Sequence, residues 1–340
     1  MEKYIMRSIL ESPFKVYGTS YDHTRGKFIR MDPEVAKTVN PGVAGMGISA
    51  TGGRIAFKTN SGHIKLSVVY PDRHLFGNMT IMCSCGFDLY MRKVGQEKFS
   101  HFYSFVPGDR AALTYEGECD LLDNSEKEII INMPIRTPVS EVCVGVEDGS
   151  NLEQWSGYKN EGRIVFYGSS ITHGCCASRP GMIYPLIISR ALDCDILSLG
   201  FSGSAKGEET MARYIAGLDM KLFVCDYDHN APTPEYLEET HERFYRIFRT
   251  GQPDTPVLFV TKPDGDKQPE LTKQRREIIR KTYENACKNG DRNVYYLDGR
   301  SLFGEVDRDC CTVDGCHPND LGFYKIATTM APRIREILGW

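Results

Sequence analysis

No stretch of this chain approaches the ~18 consecutive apolar residues of a membrane span. Its start, Met1-Glu2-Lys3-Tyr4-Ile5-Met6-Arg7-Ser8, lacks the cationic segment followed by an apolar one that marks a secretory signal. A soluble, cytoplasmic protein with no membrane partner is expected. Blocks of like charge are also missing: 41 Lys and Arg stand against 45 Asp and Glu, a formal charge of -4. That balance argues against a nucleic-acid arm or an acidic tail, so no nucleic-acid partner is expected. Neither an internal repeat nor a low-complexity tract is seen, which excludes solenoids and arrays. Cysteines are numerous at twelve, yet none forms a Cys-x-x-Cys pair. Cys83 and Cys85, Cys175 and Cys176, and Cys310 and Cys311 lie too close within each pair for ordinary disulfides. Reduced thiols are expected, and the one dense Cys/His cluster, Cys310, Cys311, Cys316 and His317, does not have the spacing of a structural zinc site.

What is present divides into two textures, as the length of 340 residues favours. Up to about residue 150, Ile64, Leu66 and Val68 alternate with Lys65 and Ser67, and further short runs around 99–106, 129–133 and 139–146 are rich in aromatic and β-branched residues. Turn signals such as Gly52-Gly53, Ser61-Gly62 and Pro107-Gly108-Asp109 separate them. The pattern predicts a β-sandwich, jelly-roll-like, over residues 1–150. A polar, glycine-bearing stretch follows, and residues 151–161 read as a linker. From 162 to 340, apolar runs at 164–167, 196–199, 222–225, 257–260 and 294–297 alternate with segments of helical period. Leu237, Phe244 and Phe248 make one stripe, and Ile326, Met330 and Ile334 another; such stripes are core. Strand alternating with helix predicts an α/β domain, a mainly parallel sheet covered on both faces in three layers.

In such a sheet the ligand site lies off the carboxyl ends of the strands. The first run ends in Gly168-Ser169-Ser170-Ile171-Thr172, where a tight turn can present the Ser170 hydroxyl. A serine attacks only when a base takes its proton, and Asp314-Gly315-Cys316-His317 offers an imidazole with a carboxylate to orient it. The second run leads to Gly203 and the third to Asn230. Backbone N–H groups of Ser170 and Gly203 and the Asn230 amide are candidate donors to a developing oxyanion. Each residue also has a plain structural use: Ser170 and Asp314 as helix caps, and Gly203 and Asn230 in turns. His173 and His229 are rival bases, and Arg179 is a candidate for either a substrate contact or a structural ion pair.

Taken in order, these blocks resemble the SGNH hydrolases, or GDSL esterases. Ser170 matches the nucleophile of the first block, Gly203 the glycine of the second, Asn230 the asparagine of the third, and Asp314 with His317 the Asp-x-x-His of the last. Tyr167-Gly168-Ser169-Ser170-Ile171-Thr172-His173-Gly174 and Ala177-Ser178-Arg179-Pro180-Gly181-Met182 resemble a bacterial two-domain subgroup. Its β-rich N-terminal domain carries a Gly-x-Asp-Leu-Tyr signature, here Gly86-Phe87-Asp88-Leu89-Tyr90. Two departures stand out: Ser169 replaces the aspartate of Gly-Asp-Ser-Leu, and the third block reads Asp-Tyr-Asp-His-Asn-Ala rather than Gly-x-Asn-Asp.

The resemblance implies an SGNH-like three-layer domain and a serine esterase without metal or organic cofactor. It further implies a small acyl group, acetyl, removed from an acetylated oligosaccharide or related hydroxyl compound. Two alternatives remain: a glycan-binding protein with a vestigial hydrolase domain, and a thioesterase or acyltransferase on the same fold. Oligomeric state is left open, a homo-oligomer included.

Overall fold

The computed structural model describes residues 3–263 and 265–340, which divide into two compact units. One contains the residues up to Arg30, Ile48–Lys159 and Ala177–Gly181; the other contains Met31–Gly47, Asn160–Cys176 and Met182–Trp340. The chain is therefore interleaved, where the sequence pattern suggested one passage through a linker at 151–161. Residues 31–47 fold with the second unit because Met31, Ala36 and Val43 bury in its core. Asn40 Nδ2 adds hydrogen bonds of 2.9 Å to Ser204 O and 2.6 Å to Glu208 Oε1.

The first unit is antiparallel. Its strands are β1 Tyr4–Ser8, β2 Lys15–Tyr17, β3 Ser20–Asp22, β4 Lys27–Ile29, β5 Arg54–Thr59, β6 His63–Val69, β7 Phe87–Lys93, β8 Ser100–Phe105, β9 Thr114–Asp120, β10 Lys127–Asn132, β11 Glu141–Glu147 and β12 Leu152–Glu153. One sheet has the order β1-β11-β6-β9 and the other β12-β5-β10-β7-β8, with β2 beside β5; β3 and β4 form a hairpin. Because side chains alternate across a strand, Ile64, Leu66 and Val68 all point inward from β6. They share a core with Ile55, Phe57, Leu89, Ile129 and Ile131 of the second sheet, which makes the unit a sandwich. The outer face of the second sheet is covered as well. Trp155, fully buried, closes over Ala56 and Ile130 and meets Tyr17, Phe99 and Tyr158 edge-on.

The second unit is built on a five-stranded parallel sheet: β13 Asn160–Gly168, β14 Cys194–Gly200, β15 Leu222–Asp226, β16 Val257–Val260 and β17 Val294–Leu297, in the order β14-β13-β15-β16-β17. Val165 and Tyr167 face the core under the helices Glu209–Ala216, Pro234–Gly251 and Pro269–Lys288. Phe166 points the other way and meets Tyr184 of the helix Tyr184–Leu192 at 5.6 Å. That helix packs in turn against Asp320–Leu338, so helices cover both faces. Among the described residues no helix is long and apolar enough to cross a membrane.

The order of these strands sets the site. From β13 the chain goes outward to β14 and then crosses back to β15 on the other side. The loops after β13 and β15 thus part at a topological switch point, where open parallel sheets leave a crevice.

Candidate active site

β13 ends at Gly168, and the chain turns at once into the short helix Ser170–His173. A Cβ on Gly168 would overlap Thr172 Oγ1 and Asp226 O, so the sharp turn requires glycine. Ser169 caps the helix by accepting the Ile171 N–H at 3.1 Å. Ser170 is thereby the first helical residue, at a position whose own N–H has no acceptor within the helix.

His317 arrives from a loop just before the helix Asp320–Leu338, which is fixed by Asn319 accepting the Gly322 N–H at 3.1 Å. Asp314 folds that loop back on itself. Its Oδ1 accepts from the Cys316 and His317 N–H groups at 3.0 and 2.8 Å, and its carbonyl accepts from Lys267 Nζ at 2.7 Å. Its Oδ2 lies 2.7 Å from His317 Nδ1, and His317 Nε2 lies 2.9 Å from Ser170 Oγ. Burial alone would raise the Asp314 pKa; hydrogen bonds from the His317 N–H, the His317 ring and the Cys316 N–H outweigh it and hold the carboxyl below its usual range. An ionised Asp314 makes Nδ1 the protonated nitrogen, which leaves the Nε2 lone pair facing the Ser170 hydroxyl.

Gly203 sits in the loop after β14 at φ 67°, a left-handed conformation that favours glycine. Asn230 follows β15 and donates from Nδ2 to Phe201 O at 2.9 Å, which ties its loop to the Gly203 turn and leaves one amide hydrogen over. The structure joins Ser170, His317 and Asp314 directly, and Asn230 to the Phe201–Gly203 segment.

The rival residues go elsewhere. His173 is buried with Nδ1 3.1 Å from Ser202 Oγ, and His229 pairs with Ser169, not Ser170. Arg179 belongs to the first unit, where it donates to Asp88 Oδ2 at 2.7 Å and to Tyr90 OH. Asp88 is fully buried and also accepts from Gly181 N and Asn132 Nδ2, both at 2.8 Å. The Gly-x-Asp-Leu-Tyr signature is thus the clamp that holds residues 177–181 in the β-rich unit.

Asp226, Asp228 and His229 bring donor atoms within 4.8 Å of one another, as a metal site would. Both His229 nitrogens and both Asp228 oxygens are already hydrogen-bonded to protein groups, so the trio is a polar array and a poor cage for a cation. Asp226 has a different character: burial, and then the neighbouring Asp228, push its carboxyl far above the usual range.

The model of the GDSL-like lipase/acylhydrolase family matches residues 161–335. The chain belongs to this family. The N-terminal domain of SGNH-hydrolase-type esterases, named for Gly-x-Asp-Leu-Tyr, matches residues 5–152. No curated protein matches the chain. Among solved structures, one from Bacteroides ovatus described as a GDSL-like lipase is 29% identical, with 99% of this chain and 98% of that one covered at a TM-score of 0.89. The salicylyl-acyltransferase SsfX3 from a tetracycline biosynthetic pathway is 21% identical over 99% and 98%, at 0.81. A family two carbohydrate esterase from Clostridium thermocellum, in complex with cellohexaose, is 14% identical over 86% and 94%, at 0.62. The last two share the fold. GDSL family membership makes this chain an esterase-class hydrolase by kinship, with the α/β/α domain of that family after a β-rich N-terminal one.

Proposed function

We propose that this member of the GDSL family is a serine esterase that removes an acetyl group from an acetylated oligosaccharide or related hydroxyl compound through an acyl-enzyme. The observation that carries the reading is the unbroken line from Asp314 Oδ2 to His317 Nδ1 and from His317 Nε2 to Ser170 Oγ, at 2.7 and 2.9 Å. Ser170 Oγ attacks the ester carbonyl while His317 Nε2 takes its proton. The oxyanion is met by the Ser170 and Gly203 N–H groups and the free Asn230 amide hydrogen; each such donor contributes about 10²-fold or more in turnover. Collapse expels the alcohol, protonated by His317. His317 then deprotonates water, which attacks the acyl-enzyme and releases acetate. The acetyl and carbohydrate assignments draw support from carbohydrate esterases on the same fold, including an acetyl xylan esterase from Butyrivibrio proteoclasticus at 13% identity and TM-score 0.61.

The higher structural similarity of the salicylyl-acyltransferase supports a second reading, in which an alcohol other than water accepts the acyl group. Both readings share every step to the acyl-enzyme. Hydrolysis of 4-nitrophenyl acetate against longer esters, by wild type, Ser170→Ala and His317→Ala, tests the shared part. Acetate-selective turnover abolished by both changes is expected, and turnover surviving Ser170→Ala would sink the assignment. Adding a sugar acceptor and measuring free acetate against acetylated sugar separates hydrolysis from transfer, and acetate release from acetylated oligosaccharides tests the substrate class.

A further inference from the structure

The turn that carries Ser170 holds a second Ser–His–Asp array on the preceding residue. Ser169 Oγ lies 2.5 Å from His229 Nε2, and His229 Nδ1 lies 2.6 Å from Asp228 Oδ1. Asp228 is fully buried; its Oδ2 accepts the Lys262 N–H at 3.0 Å, and its carbonyl accepts from Arg275 Nη1. Burial alone would raise the Asp228 pKa, but the His229 ring, the Lys262 N–H and the Arg275 charge hold it below its usual range. The ionised carboxylate accepts a hydrogen bond from Nδ1–H, so Nε2 accepts from the Ser169 hydroxyl. The same hydroxyl accepts the Ile171 N–H. Ser169 is completely shut from solvent, whereas Ser170 retains 8% exposure. With its donor used, an acceptor used and no access, Ser169 is no second nucleophile.

What the array does is join loops. Ser169 follows β13, Asp228 and His229 follow β15, and Lys262 follows β16. Asn230, next to His229, reaches Phe201 O after β14. We propose that Ser169, His229 and Asp228 are positioning residues that lock the nucleophile turn from its buried side, so that the Ser170 oxygen and the oxyanion donors keep one fixed spacing. The inference rests on Ser170 being the nucleophile.

The test is the rate at which a fluorophosphonate probe labels the protein, with the labelled residue found by peptide mapping, alongside kcat and KM on 4-nitrophenyl acetate. A displaced turn should slow labelling of Ser170 about 10- to 100-fold in Ser169→Ala and in His229→Gln, and lower kcat with little change in KM. The double variant should be no slower than the slower single, within about twofold, because both changes break one array. Ser169→Asp should restore most of the rate, since its carboxylate can cap Ile171 and accept from Nε2–H of a doubly protonated His229 that keeps Nδ1–H on Asp228. Thermal unfolding identifies variants that remain folded. Folded Ser169→Ala and His229→Gln proteins that label Ser170 within about twofold of wild type would overturn the positioning role while leaving the nucleophile in place. Labelling that persists in Ser170→Ala would overturn the nucleophile and the inference together.

Discussion

Replacing Asp314 by Asn separates the chemistry of the carboxylate from its part in the fold. The Asn carbonyl oxygen can still accept from Cys316 N and His317 N, which lie 3.0 and 2.8 Å from Asp314 Oδ1, so the loop survives. The group facing His317 Nδ1, 2.7 Å away, becomes an NH₂ donor. Nδ1 must then accept, the ring proton moves to Nε2, and Ser170 Oγ faces a donor where its base should be. The same exchange in a Ser–His–Asp triad costs about 10⁴ in turnover, or about 5.5 kcal/mol of barrier. The Asp314 side chain is 41% exposed, so water can partly stand in, and the expected loss is about 10³- to 10⁴-fold in kcat. Stability should stay within about 1 kcal/mol of wild type, because no hydrogen-bonding group is left stranded. The residual rate should climb with pH as hydroxide replaces the base. Steady-state hydrolysis of 4-nitrophenyl acetate from pH 6 to about 10, with urea unfolding alongside, reads all three. A folded Asp314→Asn protein within about tenfold of wild type would refute the reasoning, since His317 would then keep its tautomer unaided.

Asp88→Ala should destabilise the β-rich unit by about 3–5 kcal/mol in urea unfolding, because it strands Arg179, Gly181 N and Asn132 Nδ2 together; a loss under about 1 kcal/mol would show that the clamp is dispensable. His241 is fully buried between Tyr227 and Phe259, with Nδ1 2.9 Å from Thr282 Oγ1, and burial lowers its pKa from 6.5 to about 4. The unfolded chain therefore takes up this proton before the folded one does. Stability should decline between about pH 6.5 and about pH 4 by up to about 3 kcal/mol. His241→Gln should remove that part of the slope, and an unchanged slope in urea midpoints at pH 7 and 4.5 would exclude it. A Cβ on Gly200 would overlap the backbone of Thr172 and His173, so Gly200→Ala should push the nucleophile helix outward. It should cost about 1–3 kcal/mol of stability and lower kcat more than it raises KM; unchanged kcat would mean that the contact yields without moving Ser170.

The elements of the fold could be read from sequence where their signal is local. The alternation of Ile64, Leu66 and Val68, and the apolar runs that became β13 to β17, carry their own period. What could not be read depends on distant partners. Residues 31–47 lie in a β-rich context and carry no mark of the unit they join; Asn40 finds Ser204 and Glu208 more than 160 residues away. Trp155 lies in a polar stretch that reads as a linker, and only the sheet beneath it, with Ala56 and Ile130 facing outward, explains why it is buried. Arg179 could be weighed as a substrate contact or an ion pair until Asp88 was seen to hold it.

The same distinction runs through the site. Strand, glycine and serine in succession, and aspartate three residues before histidine, are patterns that a sequence shows, and they place Ser170, Asp314 and His317 within hydrogen-bond reach. The pairing of Ser169 with His229 spans 60 residues and has no such pattern, so His229 stood as a rival base for Ser170. The only local sign was that a serine occupies the place of the family's aspartate while a histidine stands beside Asp228 in the third block. Those two departures compensate each other: a carboxylate at 169 could cap Ile171 without help, whereas a serine that caps must still place its own proton, and His229 accepts it. Chemically the two arrays are alike. Their roles divide because the Ser170 array ends in a half-exposed aspartate, where a base must gain and lose protons, and the Ser169 array ends in a buried one, held by Lys262 and Arg275, where protons stay in place.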